Sequence, residues 1–378
     1  MTLDLRSKSS LLFAAATLAF SWSPWLHAQE AVNATKPTLF SISGFGTLGV
    51  THSSLSSADY TSTAFEPNGA GHTRRYDLQD DSLIGVQLTA HITDKLSAVL
   101  QIVSQHSYDN SYTPHVEWAN IKYAFTPNFS VRVGRIDVPT FANSDYRDVG
   151  YANPWLRVPV EVYNANPITH SDGLDASYRF RVGPTVNTVR TMVGVSSFHT
   201  PQGPLDIKGT DLVGVFDTIE YGAFTGHFGY AHGQINLRGF PPGYNFQSAA
   251  SYSLSVAYDP GKWFVQAELG RVTVNNITPG YVNGYITGGY RIRSFTPYVT
   301  YAQSHSLGRP TITGNPNLGQ QDASIGVRWD VAKNIDLKAQ FDHVWMPSDS
   351  AGSLINMQSN YRLGSGTNVA SLALDFVF

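Results

Sequence analysis

The sequence predicts an all-β protein, a 16-stranded antiparallel transmembrane barrel, and three observations carry that expectation. Apolar and polar side chains alternate with a period of two along most of the chain. The links between the alternating segments are short and long in turn. The last segment, residues 368–378, puts Ala370, Leu372, Leu374, Phe376 and Phe378 on one face and Ser371, Ala373 and Asp375 on the other, then stops on an aromatic residue. That is the pattern of the closing strand of a bacterial outer-membrane barrel.

The N-terminal residues 1–28 read as a cleaved secretory signal peptide. Arg6 and Lys8 form the basic n-region, Leu11–Phe20 the apolar core, and Leu26-His-Ala28 a small-residue cleavage site. The barrel domain is then 29–378, with a formal charge of −4, which argues against nucleic acid as a partner. Nothing after residue 28 is apolar for long enough to make a transmembrane helix. Charged residues are only 14% of the chain, and aromatics and glycines are plentiful. Strands with one face in hydrocarbon and the other in water need this balance. Without cysteine, an exported chain cannot rest on a disulfide scaffold.

Strands are expected at 39–50, 81–92, 96–106, 115–125, 129–138, 172–182, 186–197, 210–220, 222–235, 249–258, 262–274, 281–292, 294–304, 321–331, 335–347 and 367–378. Each is near the roughly 9–11 residues that a tilted strand needs to cross a bilayer. Seven tight turns fall at Thr93–Lys95, Thr126–Asn128, Gly183–Thr185, Tyr221, Asp259–Lys262, Arg293 and Ala332–Asn334. They alternate with eight longer segments at 51–80, 107–114, 139–171, 198–209, 236–248, 275–280, 305–320 and 348–366. Short periplasmic turns and long external loops alternate in this way in an even-stranded barrel with both ends inside. A soluble sandwich has no reason to do so.

The faces agree. On 335–342, Ile335, Leu337, Ala339 and Phe341 oppose Asp336, Lys338, Gln340 and Asp342, and Leu174, Ala176, Tyr178 and Phe180 likewise oppose Asp175, Ser177, Arg179 and Arg181. A charged face cannot meet lipid, where a mid-bilayer Lys or Arg costs roughly 2–4 kcal/mol. It must line an aqueous interior, and a 16-stranded barrel is wide enough to hold one. Phe125 and Phe129, Tyr258 and Trp263, Tyr221 and Phe224, and Phe378 lie at strand ends, as an interfacial aromatic girdle requires.

The third long segment, 139–171, is the candidate constriction. Its prolines, aromatics and mixed charge are those of a loop packed on a surface, and the inner wall is available. Folded inward, it presents Asp145, Asp148 and Glu161, with Asp137 and Asp172 at its roots, as an acidic side. The basic side is expected from Lys122, Arg132, Arg179 and Arg190 on the wall, with Arg74 and Arg75 in the first loop. Opposed rows of charge across a narrow opening set up a transverse field. The alternative is that the charges are merely solvated, or that Arg147 and Arg157 pair with the loop's own acids. Phe141, Tyr146, Tyr151, Trp155 and Tyr163 either pin the loop to the wall, the preferred reading, or guide sugars by stacking.

No nucleophile elbow, phosphate loop or dinucleotide fingerprint occurs at a strand-to-helix junction, and the histidines show no metal-ligand spacing. No catalytic residue, metal or cofactor is expected.

Seven stretches carry a resemblance: Asp81-Ser-Leu-Ile-Gly-Val-Gln-Leu88, Leu96-Ser-Ala-Val-Leu-Gln101, Val116-Glu-Trp-Ala-Asn-Ile-Lys-Tyr123, Phe129-Ser-Val-Arg-Val-Gly-Arg135, Gly150-Tyr-Ala-Asn-Pro-Trp155, Glu161-Val-Tyr163 and Asp172-Gly-Leu-Asp-Ala-Ser-Tyr178. Through them the chain resembles the Gram-negative general porin superfamily, in particular a proteobacterial branch of it. The resemblance implies a trimeric diffusion channel in the outer membrane whose third loop folds into the pore. The chain lacks the Pro-Glu-Phe-Gly motif of that loop in enteric porins. The partners it implies are outer-membrane lipid and lipopolysaccharide, small hydrophilic solutes, two further copies of the chain, and the barrel-assembly machinery through Phe378. The expected function is passive diffusion of small hydrophilic solutes and ions. The alternatives are a channel selective for sugars or small anions and a structural or adhesive barrel.

Overall fold

The structure is a computed structural model that describes residues 39–378 apart from 64, 165, 167, 200–205, 239–245, 276–277 and 309–317. The expected signal peptide at 1–28 lies outside the described residues. Sixteen strands form one closed barrel: β1 Phe40–Ser53, β2 Leu83–His91, β3 Leu96–Gln105, β4 His115–Thr126, β5 Phe129–Asp137, β6 His170–Val182, β7 Thr185–His199, β8 Asp206–Tyr221, β9 Phe224–Arg238, β10 Gln247–Tyr258, β11 Trp263–Val274, β12 Thr278–Tyr290, β13 Phe295–Ser306, β14 Gln320–Ala332, β15 Ile335–Trp345 and β16 Thr367–Val377. Every neighbour is antiparallel and sequential, and β1 closes on β16 through a register that pairs Phe45 with Val377 and Ser53 with Val369. Closure leaves no edge strand with unpaired backbone groups.

The expected turns are where the sequence put them, and the strand ends differ from expectation by a few residues. The eighth strand, for example, starts at Asp206 rather than 210. The 222–223 link works because Gly222 takes φ of 59°, a left-handed backbone that costs glycine nothing. Asn334 does the same in the 333–334 turn at φ of 65°, where Asn is tolerated.

Alternation sorts side chains as the pattern demands. On β15, Phe341 is 47% exposed on the outer face, while Asp336, Lys338 and Asp342 are buried inside. On β16, Leu372 is exposed outside while Ser371, Ala373 and Asp375 are buried. Ile42, Leu48, Val86, Val133, Leu254, Leu269, Ile286, Val299 and Ile325 continue the apolar outer surface around the ring. Such a belt far exceeds the few hundred Å² of contiguous apolar patch found on a soluble monomer, so the barrel spans a membrane. Aromatic pairs sit by the short turns: Phe125 on Phe129 at 5.5 Å, Tyr258 beside Trp263 at 5.4 Å and Phe295 on Trp329 at 5.5 Å.

At the opposite end the first and last long loops pack together. Ala58, Tyr60, Val344, Met346, Leu354 and Val369 form one apolar cluster, and Asp59 exchanges backbone hydrogen bonds with Ile355.

Candidate functional site

The third long loop, 138–169, lies inside the barrel. It leaves the wall at β5, returns at β6, and carries two single 3-10 turns, Ser144–Tyr146 and Gly150–Ala152, and one helical turn, Val160–Tyr163. Pro159 precedes that turn, and prolines stiffen the segment around it.

Three sets of contacts hold the loop. The first is apolar. Phe141, Trp155, Val162 and Tyr163 pack on Phe264, Tyr285, Tyr298 and Ala302, the inner faces of β11, β12 and β13. Trp155 is 1% exposed. Its indole meets Tyr285 edge-on at 5.6 Å, and its Nε1–H lies 3.1 Å from Thr287 Oγ1 and 3.2 Å from Thr300 Oγ1. Wall Glu268, fully buried behind the loop, accepts from the Ala142 N–H at 3.0 Å and the Tyr163 hydroxyl at 3.3 Å.

The second set is ionic. Arg157 donates from Nε and Nη2 to Asp81 at 2.9 and 2.6 Å and from Nη1 to Asp342 at 3.2 Å. Thr51, Ser371 and the Tyr60 ring complete its shell. A bidentate carboxylate plus further acceptors fits the guanidinium fork. Glu161 accepts from Gln320 Nε2 at 2.6 Å, and burial pushes its carboxyl up to about 7.

The third set clips the loop's tip. Lys338 Nζ donates to the Gly150 carbonyl at 2.6 Å, and Arg328 Nη1 to the Tyr151 and Asn153 carbonyls at 2.6 and 3.1 Å. Only glycine allows this approach, because a Cβ on residue 150 would stand 2.1 Å from Asp375 Oδ1. The Arg328 guanidinium also lies over the Tyr151 ring at 4.7 Å. The loop therefore crosses from its roots on β5 and β6 to the wall formed by β14, β15, β16 and β1.

The expected charge rows are arranged differently. Asp137 does not face Arg132 and Arg190 across the interior; it binds them, at 2.9 and 2.5 Å, together with Asp175. The reason is adjacency, since β5, β6 and β7 are neighbours and the loop root sits on the same wall. Asp145 reaches that cluster at 3.9 Å from Arg190, and Asp148 lies 3.7 Å from its own neighbour Arg147. Asp172 pairs with Arg135 at 2.7 Å, outside the cluster. Lys122 is an exposed base opposite Arg132 in the ladder. Arg179 meets Glu220 at 3.4 Å, Arg74 meets Asp77 at 2.9 Å, and Arg75 lies over Tyr76. The last three thus serve their own strands or the first loop, away from the third.

Sequence reasoning left Arg157 among the loop's own acids and did not single out Asp81, Asp342, Glu268, Arg328 or Lys338. Their inward parity was legible, but their partners were not. Of the aromatics, Phe141, Trp155 and Tyr163 lie in the apolar contact, Tyr151 lies under Arg328, and Tyr146 donates to Asn143 within the loop at 2.7 Å.

Solved structures of Gram-negative outer-membrane porins share this closed-barrel fold. The outer membrane channel DcaP of Acinetobacter baumannii superposes with a TM-score of 0.64 at 12% identity, covering 92% of this chain and 100% of its own. The anion-selective porin from Comamonas acidovorans gives 0.58 at 13% identity over 90% of this chain and 100% of its own. OmpF of Salmonella typhi gives 0.55 at 13% identity, covering 90% and 97%. No protein-family model matches the chain, and no curated protein matches it in sequence.

Proposed function

We propose that this chain is an outer-membrane pore through which small hydrophilic solutes and ions diffuse passively, with no chemical step, and that residues 139–171 form its constriction. The observation that carries this reading is the third loop itself. It is fixed against β11–β13 by its apolar side, and it keeps Asp145 accessible, with a side chain 52% exposed, near the basic wall residues Arg132 and Arg190. Charge retained along a narrow aqueous path selects by field and size. Two fold neighbours, an outer membrane channel and an anion-selective porin, are in keeping with it. A trimer form is named for the neighbouring OmpT of Vibrio cholerae, and a homotrimer is the assembly proposed here.

Purified protein in a planar bilayer tests the reading. Ohmic steps of nanosiemens order are expected. Silent insertion of folded barrels would overturn it and leave a structural or adhesive role. The second reading, anion selectivity, is favoured by Lys122, an exposed base on the wall opposite Arg132 in the ladder, and a reversal potential across a salt gradient separates it from an unselective pore.

A further inference from the structure

The first long loop contains a second cluster of titratable groups that the third loop does not use. Glu66 and Asp80 are 2% and 5% exposed, and their buried carboxyl groups interact with each other. If both are ionised, Glu66 Oε2 and Asp80 Oδ2 have no donor. His106, at the start of the second long loop and also buried, holds Nδ1 4.0 Å from Glu66 Oε2 without a hydrogen bond, while its Nε2 meets Asn110 Oδ1 at 3.0 Å. The other oxygen of Asp80 is committed: Oδ1 accepts from the Ser62 N–H at 2.5 Å, and the Ser62 hydroxyl donates to the Asp80 carbonyl at 2.9 Å. One turn of the loop is thereby tied to the other.

Two buried carboxylates in contact repel, and each forfeits solvation, so a dry pair of this kind holds a proton. We infer that Glu66 and Asp80 share one proton and form a pH-sensitive clasp that keeps the first loop closed on itself and docked on the second. The charged and titratable surroundings are these: Asp77 and Asp81 on the same loop, Arg74 bound to Asp77, His106 and Tyr112 on the second loop, and Arg157 from the third, which binds Asp81. The single nearby cation of the third loop is thus shared with Asp81 and Asp342, and does not neutralise the pair. The neighbour relation between Asp80 and Asp81 also links the clasp to the ionic anchor of the third loop. The inference concerns the mouth of the barrel and stands whether or not the barrel conducts.

The direction of the effect follows from linkage. Burial, then the Asp81 charge, pushes the Asp80 carboxyl up to about 7; burial, then the Asp80 charge, raises Glu66 as well. The opened loop has ordinary carboxyls near about 4. The closed form therefore binds the extra proton between pH about 4 and about 7. Its advantage is complete below that window, declines across it as pH rises, and is constant above it.

Hydrogen exchange on the purified, folded full-length barrel tests this, with protection factors corrected for the intrinsic pH dependence of exchange. Amides of 59–82 are expected to lose protection by at least about tenfold between pH 5 and pH 8, while amides of β11–β13 stay unchanged. In Asp80→Asn, and separately in Glu66→Gln, an amide replaces the shared proton as donor, and the loop is expected to show no pH step. In His106→Gln the step is expected to remain. Wild-type protection that is equal at pH 5 and pH 8 would overturn the clasp. So would a step that survives in both carboxyl variants, or one that disappears only with His106.

Discussion

The two sides of the third loop obey different physics. The side turned to β11–β13 is dry: Phe141, Trp155, Val162 and Tyr163 interdigitate with wall aromatics, and the Trp155 indole and Tyr163 hydroxyl find wall acceptors. The other side keeps its charges within reach of water: the Asp145 side chain is 52% exposed, whereas that of Arg157 is only 7%. Tight packing fixes where the loop lies, and exposed charge can then be tuned without moving it. Position and selectivity are held by separate residues, and each of the following changes breaks or sharpens that separation.

The largest effect is expected from the dry side. Trp155→Ala removes a fully buried indole together with its hydrogen bonds to the hydroxyls of Thr287 and Thr300. The loss of stability should be about 3–5 kcal/mol, measured by denaturant unfolding of the refolded barrel. Single-channel noise should rise because the loop detaches. Unchanged noise together with unchanged stability would mean that the aromatic contact does not hold the loop.

Arg157→Ala comes next. It leaves Asp81 and Asp342 in a buried site without their cation, which costs about 3 kcal/mol when one partner of a buried pair is removed. Pairing the change with Asp81→Asn and Asp342→Asn should recover part of the loss. A triple variant as unstable as the single one would show that the guanidinium acts through packing alone.

Glu161→Gln probes the boundary between the two regimes. Its carboxyl, raised to about 7 by burial, is favoured as the acid, so wild-type stability declines as pH rises from about 4 to about 7 and is level above. Glutamine keeps an oxygen to accept from Gln320 and carries no charge to bury. The variant should be the more stable protein by on the order of 1 kcal/mol at pH 8 and equal to wild type at pH 4.5. Thermal unfolding at the two pH values reads the difference.

These residues also mark how far the sequence alone could reach. Strand number, turn positions and inward parity were legible because they are local: a period of two, Gly222 or Asn334 in a tight turn, aromatics beside it. The loop's inward fold was suggested by composition, through Trp155 and the prolines around it. What sequence could not supply was partnership across the interior. Arg157 and Asp342 are 185 positions apart, and Lys338 and Gly150 are 188 apart; no periodicity connects them. The same limit explains the charge rows. Asp137 was expected across the interior from Arg132 and Arg190; that the three bind one another instead depends on the adjacency of β5, β6 and β7, which no local pattern carries.

The smallest structural effect and the clearest functional one are expected from the wet side. Asp145→Asn with Asp148→Asn touches no apolar contact, and exposed substitutions of this kind change stability by less than about 0.5 kcal/mol. Yet Asp145 is the acid closest to Arg190 that still meets solvent, and removing both charges leaves Arg132, Arg190 and Lys122 less compensated on the wall. In a bilayer with a tenfold salt gradient, the reversal potential should move toward anion preference, and the shift should shrink in molar salt, where screening shortens to about 3 Å. A shift that persists in high salt would mean that the loop has moved rather than lost charge. No shift at low salt would place the ion path elsewhere, and the separation of position from selectivity would then fail at its wet half.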